Sequence, residues 1–101
     1  MILLSVSSSA QSFNKVDSLK NEMQGAPDSV KIRILNELTW ELRNSKLNEA
    51  IKYGLTAIEL AQKNNDLVNL SIAYSYTGVA FRNLGNYTEA LDFYYKGLKL
   101  S

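Results

Sequence analysis

Apolar residues recur along most of this chain at the spacing of buried helical faces. The clearest stripe, at positions i, i+3, i+4 and i+7, belongs to a predicted helix that begins near residue 28: Leu35, Leu38, Thr39 and Leu42. A shorter stripe precedes it between residues 14 and 24, and three further stripes follow it. One proline and no alternating β-branched runs leave nothing that favours strands. The pattern predicts an all-α fold of about five helices.

Polar residues and glycine between the stripes predict where the helices begin and end. Asp28 or Ser29 can cap the second helix. The segment Asn64-Asn65-Asp66 offers both an end for the third helix and a cap for the fourth. The fourth helix stops at Leu84-Gly85-Asn86, and Asn86 with Glu89 three residues later is typical of a capping box for the fifth.

Two similar units follow one another, since Glu49-Ala50 recurs as Glu89-Ala90. In the second unit, the large, small, aromatic and turn positions follow the order of the tetratricopeptide repeat (TPR): Tyr74, Thr77, Gly78, Phe81, Gly85, Tyr87, Ala90, Tyr94, Gly97 and Leu98. The first unit fits with one residue deleted in its turn, and the matching positions are Leu35, Leu38, Thr39, Leu42, Ala50, Gly54, Ala57 and Ile58. The chain therefore resembles the TPR family over about residues 30–101, although Gly54 stands where that family usually has an aromatic residue.

The resemblance implies a solenoid of antiparallel helical hairpins that acts as a protein-binding scaffold. On this interpretation, residues 1–12 are a leader, residues 13–27 a short first helix and loop, and residues 28–101 two TPR-like hairpin repeats. Glycine inside a helix costs about 1 kcal/mol relative to alanine, so Gly78 and Gly97 need a packing reason. We expect Gly78 to lie at a close contact with the helix of Ala90.

The resemblance also implies a binding face, because the first helix of each TPR hairpin lines a concave groove that binds peptides. Residues at matching spacing nominate that face in helices two and four: Asn36, Trp40, Arg43 and Asn44, then Ser75, Val79, Arg82 and Asn83. We expect Arg43 and Arg82 to be free of ion pairs and open to solvent, so that both can bind carboxylates. Trp40 would add apolar contact area. These residues predict an acidic peptide as ligand. The alternative is an ordinary solvated face with Trp40 packed on the first helix.

The last helix is crowded with apolar residues that a repeat stack would cover. Phe93, Tyr94 and Leu98 are therefore expected to contact a next repeat or a second copy of the chain. This surface gives an alternative function, in which the chain is a structural module that dimerises through its last helix.

Charge and composition narrow the class of function. The 11 basic and 10 acidic residues almost cancel, which argues against a nucleic-acid partner. The chain has no cysteine and no histidine, which excludes disulfides, thiolate metal sites and histidine acid–base pairs. Glu37 and Glu41 lie one helical turn apart, but no metal-binding residue accompanies them. We therefore expect these carboxylates to form surface charge pairs. We expect no enzymatic activity, no cofactor and no metal, with a protein or peptide as partner.

The first residues run from a short apolar stretch to small residues that end in Ser8-Ser9-Ala10. This order resembles the back half of a signal peptide cleaved after Ala10, with a disordered Ser-rich leader as the alternative. No stretch approaches the ~20 apolar residues of a membrane span. The leader, together with repeats spaced wider than the 34 residues usual in the TPR family, resembles the amino-terminal regions of bacterial envelope signalling proteins, such as sensor histidine kinases or transcriptional regulators. That resemblance implies export to the periplasm or cell envelope, with the cytoplasm as the alternative.

Overall fold

The computed structural model describes residues 15–100, in which all regular secondary structure is helical. The five helices are α1, described over residues 15–23, then α2 (Asp28–Leu42), α3 (Leu47–Lys63), α4 (Leu67–Leu84) and α5 (Tyr87–Leu100). Consecutive helices pack antiparallel, and α4 also contacts α2. The predicted all-α class and the five helices are confirmed. The proposed leader, residues 1–12, lies outside the described residues.

Two helices end in the same way. At the end of α3, Asn65 adopts a left-handed φ of 56°, and the next amide, of Asp66, donates to the carbonyl five residues back. At the end of α4, Gly85 has a φ of 92°, and the amide of Asn86 makes the equivalent bond. Both helix ends are Schellman motifs, whose hydrogen bonds satisfy carbonyl groups that a helix end otherwise leaves unpaired.

In each turn, the residue that follows the left-handed residue is the N-cap of the next helix. Asp66 and Asn86 each accept a hydrogen bond from the backbone amide three residues later, at 3.2 and 3.3 Å. Both predicted caps are confirmed. The two turns are therefore short because the end of one helix and the start of the next use adjacent residues.

The predicted cap of α2 is wrong. Neither Asp28 nor Ser29 caps this helix, because Pro27 occupies the N-cap position in an extended conformation and makes no side-chain cap hydrogen bond. Asp28 is instead the first helical residue. Its carboxylate accepts a hydrogen bond from Nδ2 of Asn64 at 3.0 Å, which joins the start of α2 to the end of α3.

The largest apolar core lies where α2, α3 and α4 meet. Its buried members come from all three helices: Ile32, Leu35, Ala57, Ile58, Ala61, Leu70, Ala73 and Tyr74. A second cluster joins α1 to α2 through Leu19, Ile34 and Leu38. Of the helices that the structure describes, none is both long and apolar enough to cross a membrane.

Glycines set two of the close contacts between helices. A Cβ atom built on Gly78 would lie 2.7 Å from the ring of Tyr94 and 3.3 Å from the carbonyl oxygen of Ala90, so α4 and α5 pack closely here as expected. A Cβ atom on Gly54 would collide with the hydroxyl of Thr77. Gly54 therefore lets α4 pack against α3 at a position where a larger residue does not fit.

Candidate functional site

Helices α2 and α4 lie side by side, and polar and aromatic contacts join them along their length. Near one end, Nδ2 of Asn36 donates to the carbonyl of Asn69 at 3.2 Å. At the middle, the rings of Trp40 and Tyr76 lie 4.7 Å apart between centroids, tilted by 33°. At the other end, Nδ2 of Asn83 donates to the carbonyl of Arg43 at 2.9 Å and to Oδ1 of Asn44 at 3.0 Å. We call the accessible part of this seam the α2–α4 face, formed by Trp40, Arg43, Asn44, Tyr76 and Asn83.

At the centre of the α2–α4 face, a cation stacks on the ring of Trp40, which in turn contacts the ring of Tyr76. Cζ of Arg43 lies 3.7 Å from the ring centroid of Trp40, and Nη1 of Arg43 donates to the carbonyl of Trp40 at 2.8 Å. A guanidinium over an indole ring is attracted by about 0.5–2 kcal/mol, depending on its exposure. Trp40 remains 36% exposed, so the stack presents both charge and apolar area to solvent.

Two of the cations on α1 and α2, Lys15 and Arg33, are already paired with carboxylates. Arg33 bonds to Glu22 at 2.9 Å and to Glu37 at 2.6 Å, and these hydrogen bonds raise the pKa of Arg33. A bond of 2.9 Å from Lys15 to Glu41 likewise raises the pKa of Lys15. These cations keep their charge at neutral pH, but their partners neutralise it locally.

Arg43 and Arg82 differ from those cations, because neither has a carboxylate within ion-pair distance among residues 15–100. Arg82 is exposed, whereas Arg43 is half-buried against Trp40. The expectation that both guanidinium groups are largely open to solvent is therefore right for Arg82 and wrong for Arg43. The charge of Arg43 is held in one place by the ring beneath it.

The structure brings together four of the eight positions nominated from the sequence: Trp40, Arg43, Asn44 and Asn83. Asn36 is only 4% exposed, because α4 covers that flank of α2, so it does not lie on the solvated face as expected. Val79 is half-buried one helical turn from Tyr76. Ser75 lies beside α5, and Arg82 follows it by two turns on the same side of α4.

Tyr76 is the member of the face that sequence reasoning missed. Repeat spacing identifies residues with equivalent roles in two hairpins, whereas Tyr76 contributes by touching Trp40 across the seam. The sequence contains one signal that could have identified Tyr76: it is an aromatic residue on α4 between the buried positions Tyr74 and Thr77.

The predicted interface on the last helix is divided between half-buried and exposed residues. Phe93 stacks on Phe81 with 5.3 Å between ring centroids, and Tyr94 covers Gly78, so both contribute to the contact between α4 and α5. Leu98 is exposed, as expected for an interface residue.

No cluster of acidic side chains that could hold a metal ion occurs in the part of the chain that the structure describes. Comparison with protein-family models, curated proteins and solved structures gave no significant match.

Proposed function

We propose that this chain is a TPR-like helical-repeat scaffold whose α2–α4 face binds a peptide or a partner protein. The observation that carries the proposal is the stack of Arg43 on Trp40 beside Tyr76. The TPR-like part of the proposal is supported by two consecutive antiparallel hairpins, α2–α3 and α4–α5, whose first helices lie in contact.

The chemistry of the face favours an acidic ligand. Arg43 lacks a carboxylate partner among the described residues, and a ligand carboxylate can accept two hydrogen bonds from one guanidinium group. Because the ring of Trp40 already restricts the guanidinium, binding costs less side-chain entropy than it would for a free arginine. Trp40 and Tyr76 add the aromatic contact area that is enriched at the centres of interfaces.

A labelled-peptide titration tests the proposal. Acidic, neutral and basic peptides of equal length are compared by fluorescence anisotropy, and we expect the acidic set to bind and to weaken as salt rises. Combining Arg43→Ala with Arg82→Ala should weaken acidic peptides by about 1–3 kcal/mol. Lys52→Ala is the matched control, because it removes an exposed cation from α3, away from the face.

The conservative variant Arg43→Lys separates stacking from charge. Lysine keeps the positive charge but loses the planar fork, so we expect Arg43→Lys to weaken binding and Arg82→Lys to leave it nearly unchanged. Equal affinity for acidic and basic peptides, or binding that ignores both arginines and Trp40, would remove the proposal.

The proposed context is a non-catalytic region of a larger exported bacterial signalling protein. This part rests on the leader-like residues 1–10 and on the resemblance of the extended repeats, and it assigns the chain to the periplasm or cell envelope. Mass spectrometry of the protein produced in a bacterial host from its parent reading frame tests it. A mature protein that starts at Gln11 supports export, whereas a cytoplasmic protein that keeps residues 1–10 contradicts it.

A further inference from the structure

The outer side of α5 carries an apolar stripe that no described residue covers. Leu91, Tyr95 and Leu98 are between 62% and 72% exposed, and they lie on one flank of α5, about a quarter-turn or more around the helix from the buried Ala90 and Gly97. Leu91 and Leu98 also line a shallow groove of about 420 Å³, together with Ser75 of α4. Contiguous apolar surface of this kind marks an interaction site more often than a scatter of single residues does.

Charges along α5 are sorted by sign. Glu89 and Asp92 lie in the first half of the helix, and Lys96 and Lys99 lie in the second half. Asp92 and Lys99 are two helical turns apart, so they lie on the same flank of the apolar stripe. A second α5 in the antiparallel direction would place its basic half against the acidic half of the first.

We infer that a second copy of this chain covers α5 in an antiparallel, two-fold symmetric contact. A two-fold axis perpendicular to both helices brings the same flank of each helix together with opposite chain direction. Each Asp92 then faces the partner subunit's Lys99, and the stripe of Leu91, Tyr95 and Leu98 meets its own copy. A parallel arrangement would instead place the acidic halves of the two helices side by side, and likewise the basic halves.

The local interactions of these charges leave them free to exchange partners. Asp92 pairs with Lys96 at 3.2 Å within one turn of α5, and both side chains are about half exposed. Nζ of Lys99 lies 5.3 Å from the ring centroid of Tyr95. Exposed pairs of this kind contribute little to stability, so replacing one by an intersubunit pair costs little.

The size of the contact sets the affinity that we expect. A helix of 14 residues is about 21 Å long, so one helix from each copy buries less surface than a standard protein interface. The dimer should therefore form in the micromolar concentration range. This inference does not rest on the α2–α4 face, because the two surfaces lie on different helices.

Sedimentation velocity of the full chain over a range of concentrations tests the inference. We expect the mass to rise from one copy to two, and Leu98→Glu should raise the dissociation constant by at least about tenfold. Leu55→Glu is the matched control, since Leu55 is an exposed leucine on α3. Circular dichroism checks that both variants keep their helices.

Charge exchange tests the antiparallel direction. Asp92→Lys and Lys99→Asp should each weaken the dimer, and the double variant should restore it, because each new pair is again of opposite sign. A chain that stays monomeric at every concentration overturns the inference. A dimer that tolerates Leu98→Glu but not Leu55→Glu places the interface elsewhere, and failure of the double variant to recover overturns the antiparallel arrangement.

Discussion

Gly78 leaves a space on α4 that the ring of Tyr94 fills. Replacing Gly78 with leucine adds a side chain where even a Cβ atom would lie 2.7 Å from that ring, so we expect the free energy of unfolding to fall by about 1–3 kcal/mol. The loss should exceed the gain in helix propensity, which is about 1 kcal/mol. Thermal unfolding followed by circular dichroism measures it. Val68→Leu, at an exposed position of the same helix, is the control, and an unchanged or higher midpoint for Gly78→Leu would contradict the helix register.

Also at the residue scale, the candidate face could be predicted only in part. Helical spacing identified Trp40 and Arg43, because both lie on a side of α2 set by its own period. It misplaced Asn36 and missed Tyr76, because their surroundings depend on how α4 lies against α2. The stacking of Arg43 on Trp40 depends on side-chain conformation, which the period of a helix does not fix.

At the scale of elements, few apolar side chains hold α1 against the rest of the fold. Leu19 is its one buried member among the described residues, and it packs on Ile34 and Leu38 of α2. We expect Leu19→Ala to lower the free energy of unfolding by about 2–3 kcal/mol, near the low end for a buried leucine, because a terminal helix can adjust around the cavity. Chemical denaturation measures this, with the exposed Ser18→Ala as control. Equal midpoints for the two variants would show that α1 does not belong to the cooperative fold.

The ends of the helices show which boundaries a sequence can specify. Asn65-Asp66 and Gly85-Asn86 use side-chain oxygens and left-handed backbone, which only a few residue types supply, so both turns were predictable. The start of α2 was not, because Pro27 fixes an extended backbone by itself and leaves no role for a side-chain cap.

At the scale of the whole molecule, the composition of residues 1–10 gives no helical face to bury and resembles a leader. Deleting residues 1–10 should therefore leave the unfolding midpoint unchanged, as expected for a leader. Differential scanning calorimetry of the full and shortened chains makes the comparison. A midpoint that drops beyond experimental error would show that these residues stabilise the fold.

The position of α4 among its neighbours has a consequence for synthesis of the chain. Helix α4 contacts α2, α3 and α5. The apolar face of α2 and α3 that packs against α4 therefore stays exposed to solvent until residues up to Leu84 have left the ribosome. Folding from that point needs only contacts between helices that are near in sequence, and such local topologies fold in microseconds to milliseconds. Translation adds residues at roughly 5–20 per second, so the exposed interval is set by the ribosome and not by the folding reaction.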